Sequence, residues 1–348
     1  MQETKQRIEF IDLAKGVCIL MVVLMHIVPE FDESFKFLGC LRMPLYFCLS
    51  GLFYKDYGSS INFTIKKLNR ILIPFIVWYL VGYTSLFLGR MATGSQTESI
   101  FHFSDVLFTN QIYNLPVWFL LCLFWSNMFF NIIHRIARKW YYEIAGVLIL
   151  ASFGWIMSIK GIFNFLYIGS SMTCLPFFYL GYVLKNTGLL YKTANRKKDI
   201  ILMGICIILA FIFIFVPDYP PLLRYYKNEI VNGNPFTIYL ASTFFVIGVL
   251  LICKFIGKLP LISWLGRYSI IVLVTHCIVG AYVGTAIDIL SGEKVIGFIR
   301  EITVFSLTLA LMLIIIPFCK KYLPYITAQK DILPLQVSRK MKMETSNQ

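Results

Sequence analysis

Apolar runs of about 18 residues or more recur along this chain, each closed by a short polar stretch. Runs of that length predict membrane-spanning helices. Ten are expected: Phe10–Pro29, Phe37–Tyr54, Ile71–Leu88, a span from about Ile112 up to His134, Tyr142–Ile159, Phe163–Leu184, Ile200–Val216, Phe236–Phe255, Tyr268–Leu290 and Ile302–Cys319. The polar stretches alternate in charge. Lys55, Lys66, Lys67 and Arg70 fall on one side, as do His134, Arg135, Arg138 and Lys139. The same side takes Lys185, Lys192, Arg196, Lys197 and Lys198, then Lys254 and Lys258, and finally Lys320 and Lys321. Between them lie loops with Glu30, Asp32 and Glu33, with Glu98, His102 and Asp105, and with Asp218 and Glu229. The positive-inside rule then predicts an all-α polytopic membrane protein of about ten transmembrane helices with both termini cytoplasmic. Residues 1–328 form the membrane domain, and the polar segment 329–348 reads as a flexible cytoplasmic tail near anionic headgroups.

Composition narrows this further. The chain is 58% hydrophobic and 16% aromatic with a mean hydropathy of +0.73, which excludes a soluble domain of ordinary make-up. The net charge of +14 lies between apolar spans and not on a polar domain, so it is read as topology and not as a nucleic-acid surface. The nine cysteines stand singly and the four histidines lie far apart, so neither a disulfide framework nor a metal site is expected. The first run has no small-residue cleavage site and should remain as a helix. No internal repeat emerges.

The chemistry must therefore come from ionisable residues inside the spans, each of which costs about 2.5–3.5 kcal/mol to insert. The first span, FIDLAKGVCILMVVLMHIVP, carries Asp12, Lys15 and His26. Lys15 and His26 fall on one stripe of a helix, about 16 Å apart along its axis. Two readings stay open. Asp12 and Lys15 form an interfacial pair while His26 satisfies a neighbouring helix; or His26 is a general base, since a neutral imidazole accepts a proton. Arg42 enters the second span at a depth matching His26, either as an anchor or as a fork for an anion or oxyanion. His276, about nine residues into the ninth span, is the deepest titratable group. Trp118 and Phe119 suit an aromatic belt, or a platform for a sugar ring whose hydroxyls Asn114 could bond. Lys66, Lys67 and Arg70 suit topology, or the phosphates of a nucleotide-like cofactor.

These residues stand in FIDLAKGVCILMVVLMH, RMPLYFCLSGLFYK, NRILIPF, VWFLLCLFW, LPFFYLGYVLK and LGRYSIIVLVTH, in that order over almost the whole chain. The set resembles the acyltransferase 3 family of integral membrane O-acyltransferases, in particular its fucose 4-O-acetylase-like branch. Lys15 and His26 keep the family's basic-x10-His spacing, with Lys15 where Arg is common. The resemblance implies transfer of an acetyl group from cytosolic acetyl-CoA to a hydroxyl of a surface glycan or its lipid-linked precursor, in a bacterial inner membrane. Joined to the reading of the residues above, it makes His26, Arg42 and Lys15 the expected catalytic residues, with His26 either deprotonating the acceptor or first taking the acyl group itself. Lys66, Lys67 and Arg70 would engage coenzyme A, and Asn114, Trp118 and His276 the acceptor. No metal is expected, and the extracytoplasmic hydrolase-like domain of many relatives is not expected here. Two rivals stay open: a glycan transporter or flippase, and an acyltransferase that acts on a small molecule or uses succinyl-CoA. Against the first, no pair of halves carries corresponding broken segments.

Overall fold

The structure, a computed structural model, describes residues 8–92, 112–190, 196–216, 220–292 and 295–335. Glu98, His102, Asp105, Lys192 and Asp218 lie outside the described residues, as does the chain after Leu335. Ten principal helices follow one another: α1 (Glu9–Ile27), α2 (Gly39–Leu52), α3 (Ile73–Ala92), α4 (Trp118–Ile136), α5 (Trp140–Ile159), α6 (Ile168–Thr187), α7 (Arg196–Phe215), α8 (Pro235–Ile256), α9 (Ser269–Ser291) and α10 (Gly297–Tyr322). The protein is an all-α polytopic membrane protein. Among the described residues eight helices are long and apolar enough to cross a membrane. They include every principal helix except α2 and α6.

Those two are different for a physical reason. α2 has 14 residues, fewer than the roughly 20 that span a bilayer, and nearly all of its side chains are buried. α6 is interrupted by Ser170, Ser171, Thr173 and Pro176, polar or helix-breaking residues that lipid would penalise but a protein interior can satisfy. The pair forms the centre of the bundle, where Gly51 and Gly181 let the backbones touch. A Cβ on Gly51 would sit 1.9 Å from the Phe178 carbonyl oxygen, and one on Gly181 would sit 1.8 Å from that of Cys48. Small residues at such crossings replace the hydrophobic drive that lipid removes. The periphery is built the other way: α5, α7 and α10 turn Leu148, Phe153, Ile201, Ile208, Ile314 and Phe318 outward.

Two local elements depart from the expected loops. The stretch that carries Lys66 and Lys67 is a helix, Ser60–Lys67, started by Ser59, whose Oγ accepts from the Asn62 amide at 3.1 Å. A π turn, Leu68–Leu72, joins it to α3 and carries Asn69 and Arg70. Charge alone suggested a loop, and the N-cap in SSINF was the signal that outweighed it. At the other end, the segment before α8 holds a hairpin of β1 (Leu222–Arg224) and β2 (Glu229–Asn232), which pair antiparallel. Its turn uses Asn228 at φ 55°, a left-handed conformation that Asn tolerates better than most residues.

The hairpin is fixed from below by buried polar groups. Asn228 donates to the Gly154 carbonyl at 2.9 Å and accepts from Thr173 Oγ1 at 2.9 Å, and Ser170 Oγ donates to the Tyr225 carbonyl. Cys40 adds a bond from α2 to the Pro221 carbonyl. Buried polar groups left unpaired cost about 1–3 kcal/mol each, so this set holds the hairpin in one place over the bundle.

Candidate active site

Helix α1 runs the length of the site and presents Lys15 and His26 to different cavities. Lys15 faces a cavity of about 530 Å³ at the basic end, and His26 faces one of about 400 Å³ at the hairpin end. The stripe read from sequence is thus kept, and three turns of helix separate a cation from an imidazole.

The hairpin-side cavity gathers His26, Arg42 and Trp118, three of the expected site residues. Arg42 is 8% exposed, and the α2 carbonyl it carries accepts from Cys18 Sγ of α1 at 3.1 Å, which sets the register of the two helices. Trp118 begins α4 after a short 3-10 turn at Leu115–Val117, and its ring packs 5.7 Å from Tyr167. Leu166 and Tyr167 hold positive φ angles of 47° and 61° to bring that ring in, strain of the kind found beside functional sites. The cavity also takes in Lys36, Tyr46 and the hairpin residues Arg224, Tyr225 and Tyr226, none of which the sequence singled out. For the hairpin residues the only signal was a polar, aromatic segment between two apolar runs. Burial pushes the Tyr225 phenol well above its ordinary range, so it stands in the cavity wall as a neutral group.

His276 is completely buried, and its ring lies 5.4 Å from that of His26. Its Nδ1 lies 2.8 Å from the Val272 carbonyl oxygen. A carbonyl only accepts, so Nδ1 carries the proton and Nε2 is left as an acceptor, buried without a hydrogen-bond partner. With Cys277 Sγ, the two imidazoles bring three metal-capable donor atoms within 4.8 Å of one another. That convergence comes from α1 and α9 crossing and has no counterpart in sequence spacing.

Asn114 is not among the side chains that line this cavity. Its amide donates to the Val274 carbonyl at 2.8 Å and reaches the Trp78 carbonyl at 3.4 Å, so it ties the start of α4 to α9 and α3. Its Nδ2 is thus committed to two backbone carbonyls and braces the site, while its Oδ1 is buried without a hydrogen-bond partner.

The basic-end cavity collects Lys15, Lys67 and Arg70 with Ser50, Asn127 and Ser269. Lys15 Nζ stands 3.9 Å above the Phe53 ring, and Lys67 Nζ 5.1 Å above that of Phe63. Lys66 is not among the residues facing this cavity and pairs with Asp331. The Arg70 guanidinium meets the same carboxylate at 2.8 Å. Asn69 completes the contact: its Oδ1 accepts from the Ile332 and Leu333 amides at 2.9 and 2.8 Å, and its Nδ2 donates to the Leu333 carbonyl at 2.8 Å. The segment through Leu335, expected as the start of a flexible tail, is held against the basic patch by the π turn.

The sequence profile of a family described as an acyltransferase domain matches residues 8–319. No curated protein and no solved structure matches the chain.

Proposed function

The chain belongs to the acyltransferase 3 family and is a membrane acyltransferase, and from that premise we propose an O-acetyltransferase of the fucose 4-O-acetylase-like kind. It moves acetyl from cytosolic acetyl-CoA to a hydroxyl of a surface glycan or its lipid-linked precursor, in a bacterial inner membrane. One observation carries the reading: a single helix places Lys15 in one cavity and His26 in another, on opposite sides of one wall. A cofactor with phosphates suits the first, where Lys15, Lys67 and Arg70 converge. A hydroxylic acceptor suits the second, where an imidazole, a buried guanidinium and an aromatic face meet.

In this reading His26 takes the proton from the acceptor hydroxyl as its oxygen attacks the thioester carbonyl carbon. The C–O bond forms, the C–S bond breaks, and the coenzyme leaves as a thiol with the proton that His26 held. Nε2 of His276, an unpartnered acceptor beside the His26 ring, would take the other N–H of His26 on a small rotation and so fix the tautomer in which His26 is a base. Arg42 neutralises negative charge on the acceptor or on the carbonyl oxygen. Trp118 stacks on the sugar.

The test is transfer of radiolabelled acetyl from acetyl-CoA into the glycan fraction of membranes holding the wild type or His26→Ala at equal abundance. Label with the wild type alone is the expected result. Equal label with both removes His26 from catalysis. Acceptor movement that needs no acetyl-CoA favours a transporter.

A further inference from the structure

The two cavities are separate volumes with three side chains in common: Tyr46, Phe119 and Leu273 face both. The Tyr46 and Phe119 rings pack with centres 5.2 Å apart at 44°, and Phe47 meets Phe119 edge-on at 5.3 Å. A wall one side chain thick divides the basic end from the hairpin end. Phenylalanine would serve such a wall as well as tyrosine does, yet Tyr46 brings a buried hydroxyl that makes no hydrogen bond of good geometry, with Ser269 as its polar neighbour. A polar atom left so in an aromatic wall points to a ligand as its partner.

The reaction itself says which ligand atom arrives there. The attacked carbonyl and the attacking oxygen must approach to about 3–3.5 Å. With the donor's phosphates beside Lys15 and the acceptor beside His26, that meeting point is the wall. We infer, on the reading given above, that the acyl group crosses at Tyr46 and Phe119, that the Tyr46 hydroxyl donates to the thioester carbonyl oxygen, and that the wall admits only short acyl chains. As the C–O bond forms and the C–S bond breaks, negative charge grows on the carbonyl oxygen. Tyr46 answers it with a neutral O–H that keeps its proton, a preorganised donor in a dry site. The acceptor's proton travels separately, on His26 to the departing sulfur. Phe119 limits the space beyond the carbonyl carbon and so acts on acyl length.

The experiment uses membranes that carry the full chain and its native glycans, supplied with radiolabelled acetyl-CoA or butanoyl-CoA, with variants matched for abundance. Tyr46→Phe keeps the ring, so the wall stands, and it should lower kcat for acetyl transfer by roughly 10²–10³ with KM for acetyl-CoA unchanged. Phe119→Ala should raise the ratio of butanoyl to acetyl transfer by roughly 10-fold or more, the usual effect of room for added methylenes. A merely structural role would lower transfer from both donors together and leave that ratio alone. Wild-type kcat in Tyr46→Phe overturns the role of the hydroxyl, and an unchanged donor ratio in Phe119→Ala overturns the crossing point. Either result with an active wild type leaves the acetyltransferase reading intact. A wild type that transfers from neither donor overturns both.

Discussion

The imidazoles of His26 on α1 and His276 on α9 stand with ring centres 5.4 Å apart and planes at 45°. One is half-buried at the edge of a cavity, the other sealed, with its Nδ1 proton given to the Val272 carbonyl. The sealed ring therefore offers a fixed acceptor, and the open ring can exchange a proton with a substrate. This division of roles explains why two histidines share one place.

We predict that His276→Leu lowers kcat by roughly 10–100-fold, the usual effect of losing a group that orients a working histidine. His276→Gln, whose longer side chain can put a carbonyl oxygen near the position of Nε2, should recover part of that loss. Steady-state transfer of labelled acetyl at matched abundance checks both, and equal rates in Leu and Gln variants would remove the hydrogen bond from the account.

Lys15 is the donor-side cation on the helix that carries His26. Lys15→Gln should raise KM for acetyl-CoA with kcat held, because a phosphate contact serves ground and transition state alike. Lys15→Arg keeps the charge and adds a planar fork, and should restore KM. Saturation curves in acetyl-CoA separate the two constants.

Asp331 draws on the same cations that a coenzyme phosphate would use, since it pairs with Lys66 and Arg70. The groups are partly exposed, so the pair is worth about 0.2–1 kcal/mol. Asp331→Asn should then lower KM for acetyl-CoA about two- to fivefold by releasing Arg70 toward the cavity. A rise in KM would instead mean that the carboxylate positions Arg70 for the donor.

His26, His276 and Cys277 hold three donor atoms near enough for small rotations to bring them round one Zn²⁺. Added Zn²⁺ should inhibit transfer by occupying the lone pair that His26 needs, and chelation should reverse it. Cys277→Ser should shift the inhibition curve to higher Zn²⁺ while leaving metal-free activity in place. Inhibition unaltered by that substitution would put the metal elsewhere.

Gly181→Val should abolish folding and not merely slow transfer. Its first carbon would already sit 1.8 Å from the Cys48 carbonyl oxygen, inside a crossing of two rigid helices that cannot part without opening the bundle. Loss of the folded peak in detergent size-exclusion, with Gly204→Val unaffected, is the expected result, because Gly204 has open space around it.

The spans were legible because lipid demands long apolar runs, and the loops because charge sorts between faces. α2 and α6 were legible as spans only in part, since interior helices escape that demand and are read through the residues around them. Lys15, His26 and Arg42 could be singled out from sequence because a charge in an apolar run is expensive, and the structure gives each of them a cavity. Asn114 carried no such signal of purpose: a polar side chain before a helix serves equally well as a ligand contact or a brace, and it became a brace because Val274 crosses beside it. Lys66 could not be separated from Arg70 along the chain: both pair with Asp331, and only Arg70 also lines the cavity.

The amino-acid sequence by itself determined the membrane-spanning character, the family, and the stripe that joins Lys15 to His26, because each depends on residue order within one helix or on runs along the chain. Only the tertiary structure decided that His276 and Cys277 meet His26, that Tyr46 and Phe119 wall off two cavities, and that Asp331, Ile332 and Leu333 close on the basic patch. Those are contacts between segments far apart in the chain, and no local pattern encodes the partner across the gap.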